Sequence, residues 1–376
     1  MTPMRIEINQ EKFSEIVARA QSTLERKSTR PILENILLQA SDDEIILSAT
    51  DLRVSLTQKT KCKVIESGSI SVPGRKLNEI IREIPRGDVS VESKDNNWIT
   101  ISSGNSTFHI PGTASEEFPS FPTPPNNFIE VDPSSFDNMF TKTIFASSND
   151  ETRMYLCGVY LKEFKDEDDN SFLKVVATDG HRLSLIDTLL KNGLSLFSDG
   201  IIVPKKGVVE IKSIISTAGD SLEIACADGR IYVRSEDILL SVTLIDASFP
   251  NYSQVIPKQT GGGVLIACEP FKDALRRVSI LSDQETRSVL VEIEGSVMKL
   301  YSDNPGMGDA EETLSVDYSG EPVKVAFNAN YLMDILKVMD DEEMRMEVKD
   351  SLSPTLFIGT DKDSSFLSVV MPMRVD

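Results

Sequence analysis

The amino-acid sequence predicts an α+β chain built from three tandem, similar domains, each with two helices packed on antiparallel sheets. Three observations carry that expectation. A helical stripe led by phenylalanine recurs as Phe13, Ile16, Val17 and Ala20, then Phe136, Met139, Phe140 and Ile144, then Phe271, Ala274, Leu275 and Val278. Each phenylalanine stands five residues after a strand residue, Ile8, Val131 or Ile266, and chance does not hold three copies in register. A second stripe recurs later in each copy, and Pro- or Gly-rich connectors separate the copies.

Taken in order, the chain opens with alternation that makes a short strand ending at Ile8, followed by the first helix. Strand patterns then pass through an aspartate-containing turn at Ala49-Thr50-Asp51, and the second stripe follows at Leu77, Ile80, Ile81 and Ile84. Strands at 89–91 and 98–101 lead to the connector Phe121-Pro122-Thr123-Pro124-Pro125-Asn126-Asn127, which puts the first domain at 1–126. The second copy, 127–257, repeats the plan from Ile129-Glu130-Val131 through a turn at Ala177-Thr178-Asp179. Its second helix is weaker: Val208, Ile211 and Ile215 keep the stripe, Lys212 interrupts it, and Gly207 lowers helix propensity near its start. Strands at 231–234 and 239–244 follow, then the connector Pro257-Lys258-Gln259-Thr260-Gly261-Gly262-Gly263. The third copy, 258–376, runs from Val264-Leu265-Ile266 through a turn at Tyr301-Ser302-Asp303, a stripe of Leu332, Ile335, Leu336 and Met339, and strands at 345–348 and 366–370.

Composition narrows the function. A formal charge of −20, from 59 acidic against 39 basic residues, argues against a general basic coat for nucleic acid and leaves room for a basic face on one side only. The N-terminus has no apolar signal core and no apolar run reaches membrane-span length, so a cytoplasmic protein without a membrane partner is expected. Cys62, Cys157, Cys226 and Cys268 lie far apart and only two histidines accompany them, so neither a zinc site nor a disulfide framework is expected, and no cofactor. The acidic run 165–170 lacks the glycine and glutamate of a calcium loop and reads as a solvated hairpin tip. Gly306-Met307-Gly308 is not followed by the lysine of a phosphate cradle.

Two rival classes fall away on the same grounds. An enzyme would use His181 as general base beside Asp179 or Arg182, yet there is no nucleophile elbow, metal-ligand cluster or nucleotide loop, and His109 sits in a strand-like run. An extracellular glycan-binding array sits poorly with reduced cysteines.

The most informative stretch is Ala177-Thr178-Asp179-Gly180-His181-Arg182-Leu183. Asp-Gly between two apolar runs predicts a two-residue turn with positive backbone dihedrals, so that His181, Arg182 and Leu183 begin a strand at one sheet end. With Arg30-Pro31-Ile32-Leu33, Val203-Pro204-Lys205-Lys206-Gly207, Phe249-Pro250-Asn251-Tyr252 and the terminal Met371-Pro372-Met373-Arg374, this stretch closely resembles the bacterial sliding clamp family, the β subunit of DNA polymerase III. The resemblance runs from about Met4 to Arg374.

The resemblance implies the DNA clamp fold and a non-catalytic processivity factor. Two copies would close head to tail into a homodimeric ring of six similar domains around double-stranded DNA, held topologically and without sequence reading. Partners implied are the polymerase III α subunit, the clamp loader, and other polymerases and repair proteins that carry clamp-binding peptides. Carried over by residue, the peptide cleft comprises Arg153, Tyr155, Leu156, Thr178, Gly180, His181, Arg182, Leu183, Pro250, Val255, Leu352, Val369, Val370, Met371, Pro372, Met373 and Arg374. In it methionine repacks around different ligands while His181 and the arginines donate to peptide carbonyls. DNA-facing cations are Arg26, Lys27, Arg75, Lys76, Arg82, Lys142, Lys205, Lys206, Lys272 and Arg276. Phe108 and Ile110 of one copy would meet Ile280 and Leu281 of the other. The chain departs from the family pattern at Asp150, Pro354 and the terminal Val375-Asp376.

Overall fold

The computed structural model describes residues 3–25, 28–94, 96–190, 196–217, 219, 221–258, 263–360 and 365–374. The chain forms two compact units, 1–134 with 209–244, and 135–208 with 245–376. The middle repeat is therefore divided between them. The reason is strand pairing: Val242 lies opposite Val54 in the first unit, and Leu183 lies opposite Val369 in the second.

In the first unit, strands Lys63–Glu66, Arg5–Asn9, Asp88–Ser93, Trp98–Ser103 and Ser106–Pro111 form one sheet in that order. A second sheet runs Ile129–Val131, Leu222–Ala227, Arg230–Ser235, Ile238–Thr243, Val54–Lys61, Glu44–Thr50, Asn35–Ser41 and Gly68–Pro73, antiparallel throughout. Helices α1 (Gln10–Thr23) and α2 (Gly74–Glu83) bury their apolar stripes in one core with Ile6, Ile36, Leu47, Val91 and Ile101. Asn9 caps α1 by accepting from the Glu11 N–H at 3.1 Å, satisfying a donor that has no helical partner. Gly74 opens α2 because a Cβ there would stand 2.5 Å from Leu24 Cδ1.

The middle repeat supplies α3 (Pro133–Thr141) and α4 (Lys205–Ile215). In α4 the expected stripe holds despite its interruptions, with Val208, Ile211, Ile214 and Ile215 buried. Ile144 differs from expectation. The α-helix ends at Thr141 and Ile144 opens a separate 3-10 turn, Ile144–Ala146.

In the second unit one sheet runs Ile201–Pro204, Gly158–Lys165, Ser171–Thr178, Arg182–Leu189, Leu367–Val370, Thr355–Gly359, Glu343–Glu347 and Val264–Ala267. The other runs Gly308–Ser315, Val297–Asn304, Ser288–Glu294 and Val323–Asn328. Helices α5 (Cys268–Val278) and α6 (Ala329–Val338) pack together, burying Phe271, Leu275, Leu332 and Ile335. The acidic run forms the expected hairpin tip, where the Asp166 carboxylate gathers the N–H groups of Asp168 and Asn170. Tyr301-Ser302-Asp303 does not turn. These residues lie inside strand Val297–Asn304, with Asp303 opposite Asp309, because Pro305 and Gly306 supply the breaker just beyond.

Candidate functional site

The hairpin at 178–182 turns one residue later than Asp-Gly alone suggests. The Asp179 N–H bonds the Arg182 carbonyl at 3.3 Å, leaving Gly180 and His181 at the tip, and only Gly180 has positive φ, +91°. The cause is the Asp179 side chain. Its Oδ1 accepts from the N–H groups of His181 (2.9 Å) and Arg182 (3.0 Å), so aspartate starts the turn instead of occupying its centre. Thr178 Oγ1 donates to the Arg182 carbonyl at 2.6 Å and accepts from the Gly180 N–H at 3.1 Å. On the other side of the hairpin, the Met371 N–H bonds the His181 carbonyl at 2.8 Å.

Beside this tip lies a cavity of about 260 Å³, wholly within the second unit. Its lining brings together Tyr155, Leu156, Thr178, Gly180, His181, Arg182, Leu183, Pro250, Val255, Val369 and Met371, as the resemblance implied. Leu156, Leu183 and Val369 are buried and make the floor, while Tyr155, Val255 and Met371 are exposed and make the rim. Asn251 and Tyr252 also line it and were missed. The signal for them was Phe249-Pro250-Asn251-Tyr252 itself: Tyr160, Phe249 and Tyr252 form one aromatic cluster behind the cleft, and burial pushes the Tyr252 hydroxyl up to about 12. A larger cavity of about 650 Å³ is walled mainly by polar and charged residues, among them Lys142, Asp187, Asp340, Asp341 and Glu342, with Ile186 and Leu189 beside them.

Other implied cleft residues stand elsewhere. Val370 is fully buried because strand alternation turns it away from Val369. Pro372, Met373 and Arg374 lie beyond the lining; the Met373 N–H bonds the Ala326 carbonyl at 2.8 Å, which ties the chain end to strand Val323–Asn328. Leu352 is an exposed residue of the loop before Thr355–Gly359 and does not reach the cavity. Arg153 also stands outside it, with Nη1 3.1 Å from where a Gly180 Cβ would be.

Arg182 lines the cleft, and each of its three guanidinium nitrogens already has an acceptor. Its Nε donates to Asp179 Oδ2 at 3.1 Å, Nη1 to Asp334 Oδ2 at 2.8 Å and Nη2 to the Phe145 carbonyl at 2.6 Å, with the guanidinium 4.4 Å from the Tyr331 ring. It is a clamp that fixes the hairpin to α6 and the 3-10 turn Ile144–Ala146. Nothing in the sequence pointed to Asp334, Tyr331 or Phe145. The exposed His181 ring has no hydrogen bond among the described residues and remains free to donate.

The DNA-facing set divides. Arg26 and Lys27 lie outside the described residues. Arg75, Lys76 and Arg82 are exposed on α2, and Arg276 on α5. Three of these helix cations are matched by an acid one turn away: Lys76 with Glu79, Lys272 with Glu269 and Arg276 with Asp273. Lys205 is half-buried and donates to Asn149 at 2.9 Å; Lys206 is half-buried. Lys142 contradicts its assignment. It is buried, with Nζ 2.7 Å from Asp340 and over the Phe366 ring, because it follows the end of α3 and turns into the unit.

Of the residues expected between copies, Ile280 is 76% exposed and Leu281 half-buried on the 3-10 turn Ser279–Leu281. Phe108 is half-buried against the first unit's core. Ile110 belongs to that core, so it supports strand Ser106–Pro111 from within instead of offering a contact surface. That strand is the last of its sheet, and Gly308–Ser315 ends another, so each carries an unpaired edge among the described strands. Asp150 accepts from the Thr152 N–H and hydroxyl and from Arg153 Nε, and those bonds hold its carboxyl below the ordinary range.

Among the described residues no helix is long and apolar enough to cross a membrane. Comparison with known proteins gives one answer along the chain. The family models for the N-terminal, central and C-terminal domains of the DNA polymerase III beta subunit match residues 4–122, 130–251 and 253–374. A beta sliding clamp of Caulobacter vibrioides is 33% identical over 375 residues, covering 99% of this chain and 100% of that one. One of Chlamydia muridarum is 31% identical over 373 residues, covering 99% of each. Among solved structures, a sliding clamp from Bartonella birtlesii bound to griselimycin superposes with a TM-score of 0.93 at 31% identity, covering 99% of this chain and 100% of that one.

Proposed function

The chain belongs to the DNA polymerase III beta subunit family and acts as a non-catalytic DNA sliding clamp for processivity; from that premise we propose how its own residues assemble, meet DNA and take partners. Two copies join head to tail. The observation that carries this reading is the pair of unpaired sheet edges, Ser106–Pro111 and Gly308–Ser315, with exposed Ile280 on the turn packed beside the second. Strand addition across those edges satisfies both sets of backbone groups, and Phe108 packs on Ile280 and Leu281. A heterologous contact that closes after two copies gives a ring, and domains at 1–126, 127–257 and 258–376 supply its repeating parts.

Retention and sliding then separate. Each neutralised phosphate adds affinity and friction together, so a clamp that moves must hold DNA by closure. The acid-matched cations on α2 and α5 fit this: they centre the duplex weakly, with Arg75, Lys76, Arg82, Lys205, Lys206, Lys272 and Arg276 as the DNA-facing set. The apolar cleft takes a short peptide with an apolar end from the polymerase III α subunit, the clamp loader, or another polymerase or repair protein, and the tether raises the partner's effective concentration at the DNA. The place of action is the cytoplasm.

Protein loaded by a clamp loader onto a nicked circle should survive a high-salt wash and be released when the circle is cut. Equal retention on linear and circular DNA overturns encirclement. Ile280→Ala with Leu281→Ala should give a folded monomer in light scattering, since large apolar side chains are lost from each of two interfaces; a persistent dimer at low micromolar protein overturns this interface.

A further inference from the structure

Asp150 and Gly180 belong to different elements, and Arg153 connects them. Asp150 caps the 3-10 turn Glu151–Leu156, its Oδ1 accepting from the Thr152 N–H at 3.0 Å and the Thr152 hydroxyl at 2.6 Å. Its Oδ2 accepts from Arg153 Nε at 3.0 Å. The backbone is non-helical at Arg153, φ −114° and ψ 57°, which swings that side chain out of the turn. It lies against the hairpin tip: Nη1 stands 3.1 Å from the position a Cβ on Gly180 would take. Gly180 therefore serves twice, by its positive φ and by leaving room for the guanidinium. Both Nη groups lack a hydrogen-bond partner among the described residues, while each nitrogen of Arg182 nearby already has an acceptor.

We propose that Asp150 is a positioning residue for the peptide cleft: it holds Arg153 by Nε across the Gly180 tip, so that the two Nη groups form a fixed cationic edge that donates to an oxygen of the bound peptide. This rests on the cleft being the peptide site. A guanidinium held through one nitrogen keeps its remaining donors in a plane of fixed direction, which lowers the ordering cost of binding. The acceptor is a peptide carboxylate or a backbone carbonyl, and the two sources are distinguished below.

The test uses the full chain and fluorescence anisotropy with a labelled, C-terminally amidated synthetic peptide that ends in an Asp followed by two large apolar residues. A second peptide replaces that Asp with Asn. Asp150→Asn keeps an acceptor for Thr152 and removes the charge that holds Arg153, and its unfolding temperature should stay near that of the parent. It should weaken peptide binding about three- to fivefold, the scale of an exposed ion pair. Arg153→Ala should weaken it about tenfold. In the Arg153→Ala background, Asp150→Asn should have no further effect, because it acts only through the arginine. Unchanged affinity for Asp150→Asn, or the same loss with and without Arg153, overturns the proposal. If Arg153→Ala erases the preference for the Asp peptide, the acceptor is a carboxylate; if both peptides lose equally, it is a carbonyl. Leu183→Ala, at the cleft floor, separates the two readings: if it leaves binding intact, the cleft is not the peptide site and the proposal falls with that reading.

Discussion

The hairpin tips at 50–54 and 178–182 lie in different units and share one hydrogen-bond pattern. In the first, the Asp51 N–H bonds the Val54 carbonyl at 3.1 Å, and Thr50 Oγ1 donates to that carbonyl at 3.0 Å and accepts from the Leu52 N–H at 2.9 Å. Asp51 Oδ1 accepts from the N–H groups of Arg53 and Val54, as Asp179 does from His181 and Arg182. Even the neighbouring strand matches, with the Thr243 N–H on the Arg53 carbonyl at 2.8 Å where Met371 bonds His181. Three side chains differ. Leu52 takes φ +75° where Gly180 takes +91°, Arg53 stands for His181, and buried Val54 stands for Arg182. Thr-Asp is thus the repeated scaffold, and the three residues after it decide whether a cleft with a cationic edge forms beside it.

The largest break in the comparison should come from Arg182. Arg182→Ala leaves Asp179 without its cation and Asp334 with Lys337 alone, and should destabilise the second unit by about 3 kcal/mol in denaturant unfolding. Val54→Ala, at the matching place, should cost about 2 kcal/mol through lost burial alone; equal losses would show that Arg182 is mere packing. Next in size is the exchange at the tip. Gly180→Leu must adopt positive φ and push Arg153 aside, so a loss of ~1–2 kcal/mol and at least about tenfold weaker peptide binding are expected. Leu52→Gly removes the same strain and should be neutral or stabilising by up to about 1 kcal/mol, the relief being offset by chain entropy. Destabilisation beyond that range would mean the Leu52 side chain has a packing role of its own.

A smaller effect sharpens the likeness. Thr178→Val should cost about 1 kcal/mol by removing its pair of hydrogen bonds to the tip; Thr50→Val removes the matching pair and also the bond to Ser55 Oγ, so its loss should be equal or larger; a smaller loss for Thr50→Val would refute equivalence. The smallest readout is the titration of Asp150. Its carboxyl is depressed by the bonds from Thr152 and Arg153, so the folded form favours the charged state. The stabilisation is then complete above the ordinary Asp value of about 3.9 and is lost as pH falls through the lower folded value. An NMR midpoint for Asp150 at or above the ordinary value would contradict the bonds drawn to it.

The repeat plan was legible because burial imposes a period on sequence: Phe13, Phe136 and Phe271 are all buried where the stripes placed them. What escaped were decisions made by side chains acting at a distance or against type. Asp179 moved the turn by one residue through its own carboxylate. Pro305 and Gly306 carried the third turn past Asp303. Lys142 and Ile110 were carried over from the resemblance to surfaces, yet Asp340 and the strand's inner face claimed them. The cleft floor followed from resemblance, while Asp334, Tyr331 and Phe145 around Arg182 had no local signal because they come from elements remote in sequence.

The division of the middle repeat has a consequence for how such a chain can be cut or shuffled. Strand Val54–Lys61 is covered by Ile238–Thr243, and Arg182–Leu189 by Leu367–Val370. A fragment ended at the first connector would lay bare the whole side of Val54–Lys61, a ready template for aggregation. The copies are therefore repeats by ancestry of pattern but not exchangeable modules: a recombination point acceptable to the backbone at 121–127 is unacceptable to the sheet.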